Sequence, residues 1–300
     1  MKRDLFGEEH DAFRASVRRF VEEHVAPNRG KWEQEGLVGR ELFRAAGTLG
    51  LFGMSAPERY GGAGVADFRY NAILSEELAA ADVLSVGLGL SLQADIALPY
   101  LLGDCTPEQC ERWLPGVISG ETILALAMSE PGAGSDVANI ATTAVRDGAE
   151  YVVNGSKTFI TNGLNADLVV VAVKTAPTAG RKGISLLVVE ADRPGFSRGA
   201  KLQKIGQHAA DTAELFFADV RVPADHLLGE ENRGFYVMMS NLVQERLAVA
   251  VQATAQARRA YELSLAHATT REAFGARIGS FQHAGTTEVM KEIIGRSIGL

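Results

Sequence analysis

Three hundred residues are too many for one typical hydrophobic core, so two or three domains with a large buried interior are expected. Hydrophobic residues at 46% against 22% charged suit a globular chain, and a formal net charge of −7 without any Lys/Arg-rich run excludes a nucleic-acid backbone as the main partner. The opening MKRDLFGEEHD has no apolar stretch behind it, so no signal peptide is expected; two cysteines, Cys105 and Cys110, without His partners predict no metal site and fit a reduced, cytoplasmic protein.

From residue 8 the pattern is helical, with Phe13, Val17, Phe20 and Val25 as an apolar stripe that Pro27 is expected to close. A second helix is predicted over 40–50. It leads into ERYGGAG at 58–64, which reads as a turn rather than a phosphate cradle. Helices resume over 75–102. The most apolar run there, VLSVGLGLSLQADIALPYLL, is interrupted by Gln93, Asp95 and Pro99, so no membrane span is expected. Thr106 as N-cap and Pro107 as first helical residue mark another helix start.

Near residue 122 the texture changes to short β-branched and aromatic runs: TILALAMS, YVVN, SKTFIT, DLVVVAVKT, GISLLVVEA and ELFFADVRV. Asn154-Gly155 predicts a two-residue hairpin between YVV and SKTFI. After Gly234 a helix is predicted over 235–268, apolar on most sides and therefore buried on several faces, in a bundle or at a subunit contact. The expected fold is α+β and multidomain: an N-terminal helical domain over 1–121, a middle β-barrel or sandwich over 122–231 and a C-terminal helical domain over 232–300.

Three features carry chemistry. In AMSEPGAGSD at 127–136 the glycines remove side chains and let a flat or phosphorylated ligand approach the backbone, with Ser129 and Ser135 adding hydroxyls. A tight strand connection without a ligand reads equally well from the loop alone. In KTFITNG, Phe159 and Thr161 stand two residues apart and are expected on one strand face, an aromatic wall beside a hydroxyl; an ordinary half-buried strand is the alternative. Glu245 is surrounded at helical spacing by Met238, Asn241, Leu242, Ala248 and Val249, so it is expected on a mostly apolar face where burial makes a carboxylate a usable base.

AMSEPGAGSD, KTFITNG, QERL and REAFGARIGSFQ, in this order and spacing, together with EHDAFRASVRRFV and ERYGGAG, resemble the acyl-CoA dehydrogenase family from residue 4 to 283. The resemblance implies a three-domain flavoprotein with FAD as cofactor, acting on an acyl-CoA in fatty-acid β-oxidation. It further implies an electron-transfer flavoprotein as acceptor and a homo-oligomer, tetramer or dimer. Carried over residue by residue, FAD contacts fall on Leu126, Ala127, Met128, Ser129, Glu130, Pro131, Gly132, Ala133, Gly134, Ser135, Phe159, Ile160 and Thr161. Arg271, Phe274 and Gln282 match the stretch that reaches a neighbouring subunit's FAD in the family, although REAFG read alone is a plain helix C-cap pattern with Gly275; Thr286 is a further cofactor position. Substrate contacts fall on Ser135, Tyr236, Arg246, Ala284 and Gly285.

The family's base occupies either the helix, as here at Glu245, or the position before the C-terminal Gly-Thr, where this chain has Ala284. Glu245 is therefore the expected base for removing the α-proton as the β-hydride passes to the flavin, with the thioester oxygen held by a flavin hydroxyl and the Ala284 N–H. The helix-base arrangement resembles the isovaleryl-CoA and long-chain enzymes. Asn139 replaces a smaller residue of the family pattern, and Val243 an Asp often found there. SFQH is followed at once by AGTTEVMKEIIGRSIGL, which resembles the end of a long-chain-type member and implies an internal deletion at His283/Ala284 that shortens the C-terminal helical bundle and strips partners from the 235–268 helix. Two classes stay open: an active dehydrogenase, and an inactive relative that keeps flavin or acyl-CoA affinity or only partners a full-length chain.

Overall fold

The computed structural model describes residues 4–281, and a division between Gln252 and Ala253 separates two compact units. In the larger unit, α1 (Glu8–Phe20) buries Val17 and Phe20. Pro27 does not close this segment. The chain passes through a π turn (Val21–Val25) and a 3-10 turn (Ala26–Asn28) into α2 (Arg29–Glu35). Pro27 lies in the opening turn of a helical segment, where its missing N–H is not needed. The stop is Gly36, at φ 69°, whose N–H closes on the Trp32 carbonyl at 2.7 Å.

Helix α3 (Arg40–Thr48) leads to a 3-10 turn (Glu58–Tyr60), so ERYGGAG is a turn as expected. Next come α4 (Arg69–Ala80), α5 (Leu84–Ser91), a second π turn (Leu92–Ala97), α6 (Leu98–Asp104) and α7 (Pro107–Ser119). By length and composition Leu84–Asp104 is apolar enough to cross a membrane, and 61% of its most apolar window is buried inside the protein. Thr106 caps α7 reciprocally: Gln109 N–H donates to Thr106 Oγ1 at 3.3 Å, and Thr106 N–H to Gln109 Oε1 at 2.9 Å.

Eight strands form one hydrogen-bonded sheet: β1 (Leu124–Ala127), β2 (Thr143–Asp147), β3 (Glu150–Thr161), β4 (Leu168–Lys174), β5 (Ile184–Glu190), β6 (Phe196–Lys201), β7 (Thr212–Pro223) and β8 (Leu227–Leu228). The order is β6-β7-β3-β2-β4-β5-β8, with β1 parallel to β4. Because β2 and β4 meet at the single pair Thr143–Lys174, the sheet behaves as two halves. Ala125, Val169, Val171, Leu187 and Val189 from one half share a core with Tyr151, Val153, Leu215, Phe217 and Val222 from the other, a sandwich interior. The alternate residues Leu124, Leu126, Leu168, Val170, Leu186 and Val188 pack instead against Leu98, Leu101, Trp113 and Leu114 of the helices. Burial on both faces is why LVVVAVK and ISLLVVE read as continuous apolar runs.

The expected hairpin at Asn154-Gly155 is absent; β3 runs straight through it. Gly155, at φ 147°, marks a register shift against β7 between Val153 and Gly155, so the flexible dipeptide serves a bulge. The turn comes earlier, where Asp147 pairs with Glu150 and Gly148 takes φ 62°.

Helix α8 (Gly234–Thr270) is longer than predicted and far less covered. In the larger unit it buries Gly234, Met238, Glu245 and Ala248, while Val243 is 71% exposed and Leu247 and Val249 are also exposed. Among the described residues of that unit one side of α8 packs, and the others are left as apolar surface of the kind a subunit contact would cover. The smaller unit holds the rest of α8 and a hairpin, β9 (Glu272–Ala273) with β10 (Ala276–Arg277). Phe274 and Gly275, both at positive φ, form its two-residue turn, so Gly275 is a hairpin residue and not a helix cap.

Candidate functional site

The glycine loop after β1 is anchored from beneath by a buried ion pair. Lys157 Nζ, on β3 and fully buried, donates to Glu130 Oε1 at 2.7 Å and to the Met128 carbonyl at 3.1 Å. The same carboxylate accepts the N–H groups of Ala141 at 2.5 Å and Thr142 at 3.0 Å. Burial acts to raise the Glu130 pKa, but Lys157 and these N–H groups outweigh it and hold the carboxyl below its ordinary value. Burial pushes Lys157 down to about 8 against the pull of Glu130.

Glu130 thus turns its side chain inward, and Leu126, Ala127, Ala133 and Ile160 turn theirs into the cores, leaving only backbone to face a ligand. Outward the loop presents Pro131, Gly132, Gly134 and Ser135, all exposed, with Met128 and Ser129 half-buried. A Cβ built on Gly132 or Gly134 meets nothing within 4 Å, and neither glycine has a positive φ. Among the described residues nothing requires glycine at these two positions. Such a surface leaves bare N–H groups open to a flat or anionic partner.

Beside the loop, Thr158 N–H donates to the Ser129 carbonyl at 2.9 Å, and the pairing of β3 with β7 slips between Lys157 and Ile160. Strand alternation fails across this bulge: Lys157 and Thr158 are both buried, Phe159 points out, Ile160 points in and Thr161 is half-buried. The break falls between Lys157 and Thr158; from Phe159 to Thr161 the alternation resumes, with Ile160 inward between the exposed Phe159 and the half-buried Thr161. Phe159 is 70% exposed at φ 60°, a strained conformation for an aromatic residue whose ring packs against no core.

Glu245 faces inward from α8, 9% exposed, and its Oε1 accepts the hydroxyl of Tyr100 at 2.8 Å. Burial raises its pKa, opposed by the Tyr100 hydrogen bond and the charge of Arg246. Tyr100, on α6, is itself fully buried; burial and the adjacent carboxylate push its pKa far up, so the phenol stays a neutral donor. A carboxylate held this way has a higher proton affinity than an exposed one, which suits it to act as a base. Asp95, on the π turn before α6, is also buried; Asn71 Nδ2 donates to it at 2.5 Å and burial pushes it up to about 7.

Among the other positions, Arg246 is exposed next to Glu245, and Tyr236 is partly exposed with Arg233 stacked 4.6 Å from its ring centre. Asn139 Nδ2 donates to Asp136 at 2.5 Å and fixes the end of the loop. Arg271 and Phe274 belong to the smaller unit, where the Arg271 N–H closes on the His267 carbonyl at 2.8 Å and Phe274 stands almost wholly exposed at the hairpin tip. Gln282, Ala284, Gly285 and Thr286, and the His283/Ala284 junction, lie outside the described residues. Sequence reasoning missed Lys157, Asp95 and Tyr100. Gln93 and Asp95 were visible as polar breaks in an apolar run; Tyr100 had no signal, since one Tyr among Leu and Pro reads as core.

The family models for the acyl-CoA dehydrogenase N-terminal, middle and C-terminal domains match residues 7–121, 125–220 and 232–284. The long-chain specific acyl-CoA dehydrogenase, mitochondrial, of Sus scrofa is 45% identical over 282 residues, 93% of this chain and 65% of that protein, so the chain spans about 65% of such a curated relative's length. The acyl-CoA dehydrogenase of Geobacillus kaustophilus superposes with a TM-score of 0.92 at 47% identity, covering 99% of this chain and 77% of the other. That of Bacillus anthracis, solved in complex with FAD, superposes at 0.85 with 30% identity, covering 94% of this chain and 48% of the other.

Proposed function

The chain belongs to the acyl-CoA dehydrogenase family, and from that premise we propose that it is an FAD-dependent dehydrogenase that uses Glu245 to remove the α-proton of an acyl-CoA thioester, giving a trans-2-enoyl-CoA. The observation that carries the reading is the Glu245 carboxylate itself: buried, raised in pKa and held by one neutral donor. A carboxylate with those properties is a stronger base than an exposed glutamate.

The residues present fit the family's cofactor. Gly132 and Gly134 leave the loop backbone open, and Phe159 offers an aromatic face beside Thr161, so these residues with Met128, Ser129 and Ser135 would hold FAD. When bound, FAD supplies the acceptor for the β-hydride. Ser135, Tyr236 and Arg246 are exposed groups suited to the CoA portion. An electron-transfer flavoprotein is the proposed acceptor, and a homo-oligomer the proposed assembly, which would cover the exposed Val243, Leu247 and Val249.

The test is a visible spectrum of the purified chain with FAD, before and after anaerobic addition of a long-chain acyl-CoA. Bleaching of bound flavin is expected. Bound flavin that never bleaches would instead favour the inactive relative.

A further inference from the structure

The geometry points to Tyr100 as a positioning residue for Glu245: its hydroxyl pins Oε1 and so selects Oε2 as the oxygen that receives the proton. The inference rests on Glu245 being the base, and it adds a residue from a different domain of the fold that no motif carried.

Tyr100 has no exposed surface, so its hydroxyl must find a partner inside the protein, and the partner it has is Glu245 Oε1 at 2.8 Å. Glu245 Oε2 accepts no hydrogen bond among the described residues, and it is not among the sealed, unsatisfied atoms. One oxygen is thus tethered and the other left available. The tether depends on a backbone irregularity. The π turn Leu92–Ala97 precedes α6, and its extra residue rotates α6 by about 100° relative to a continuous α-helix, which sets the direction in which Tyr100 leaves α6. Among the described residues the charges that act on the pair are Arg246, which adjoins Glu245 on α8, and Asp104, which acts on Tyr100 from α6.

A neutral donor to a carboxylate favours its charged form and fixes its rotamer. Removing it leaves burial opposed only by Arg246. Tyr100→Phe should therefore raise the Glu245 midpoint by about one pH unit, a tenfold change, and lower kcat about tenfold with little change in KM.

The experiment is a pH titration of protein carrying 13C-labelled glutamate carboxyls, with Glu245 assigned by the signal lost in Glu245→Gln, followed by the pH profile of kcat/KM with a long-chain acyl-CoA. An upward shift of the midpoint in folded Tyr100→Phe, matched by the acid limb of the profile, is expected. An unchanged midpoint overturns the role of Tyr100 while leaving Glu245 as base; turnover surviving in Glu245→Gln overturns the base reading, and this inference with it. Should Tyr100→Phe fail to fold, 3-fluorotyrosine labelling gives a second test. One 19F resonance should track the Glu245 titration and stop doing so in Glu245→Gln; the absence of any such resonance overturns the inference.

Discussion

Glu130 and Glu245 are both buried carboxylates, and the protein treats them in opposite ways. Glu130 is saturated by a buried lysine and two backbone N–H groups, and its pKa falls despite burial. Glu245 receives one phenol and a neighbouring guanidinium charge, and its pKa rises. Burial by itself therefore does not distinguish an anchor from a base; the number and charge of the compensating groups does. The first carboxylate fixes where the glycine loop lies, and the second keeps spare proton affinity.

The largest expected effect tests the second half of this contrast. Glu245→Gln should keep bound flavin and lose about 10³-fold in turnover, read by flavin absorbance and steady-state rate side by side. A comparable loss in Glu130→Gln with flavin still bound would erase the distinction between the two sites.

Lys157→Met tests the first half. It leaves Glu130 buried without its cation and should destabilise the protein by about 3–5 kcal/mol in denaturant unfolding, and Glu130→Gln added to it should restore part of that loss. If the single variant unfolds at the wild-type midpoint, the ion pair is not the anchor.

Asp95 sharpens the comparison with a third buried carboxylate, met among the described residues by the neutral amide of Asn71. Its folded pKa of about 7 lies above its ordinary 3.8, so the stability it contributes is complete below about pH 4 and is lost as pH rises through 7. Asp95→Asn should accordingly stabilise at pH 8 by on the order of 2 kcal/mol and do nothing at pH 4. Equal melting shifts at both pH values would contradict the raised pKa.

The smallest change concerns the loop that Glu130 holds. Gly132→Ala meets open space in the protein and should alter stability by no more than about 0.5 kcal/mol, yet weaken flavin binding about tenfold by placing a methyl where the backbone was bare. Titration of FAD into both proteins decides it; unchanged affinity would mean the ligand does not lie there.

Much of the fold was legible in the sequence because it is local. Thr106-Pro107 announces the start of α7, alternating β-branched runs announce the strands, and the setting of Glu245 among Met238, Leu242 and Ala248 announces an inward carboxylate. The errors arose where two local signals shared one spelling. Asn154-Gly155 is spelled like a turn and serves a bulge, because β7 offers a pairing partner on both sides of it. Pro27 is spelled like a helix end and begins a new helical turn.

The sequence by itself determined the order of helical and β segments, the open glycines and the identity of the base candidate, since these depend on residue types and short spacings. Tertiary structure alone decided which groups compensate each buried charge. Lys157 lies 27 residues from Glu130, and Tyr100 lies 145 from Glu245. No periodicity relates positions so distant. They meet because β3 underlies the loop after β1 and because a π turn before α6 directs one phenol toward α8, and a charge removed from water must be met by whatever the fold brings within hydrogen-bond reach.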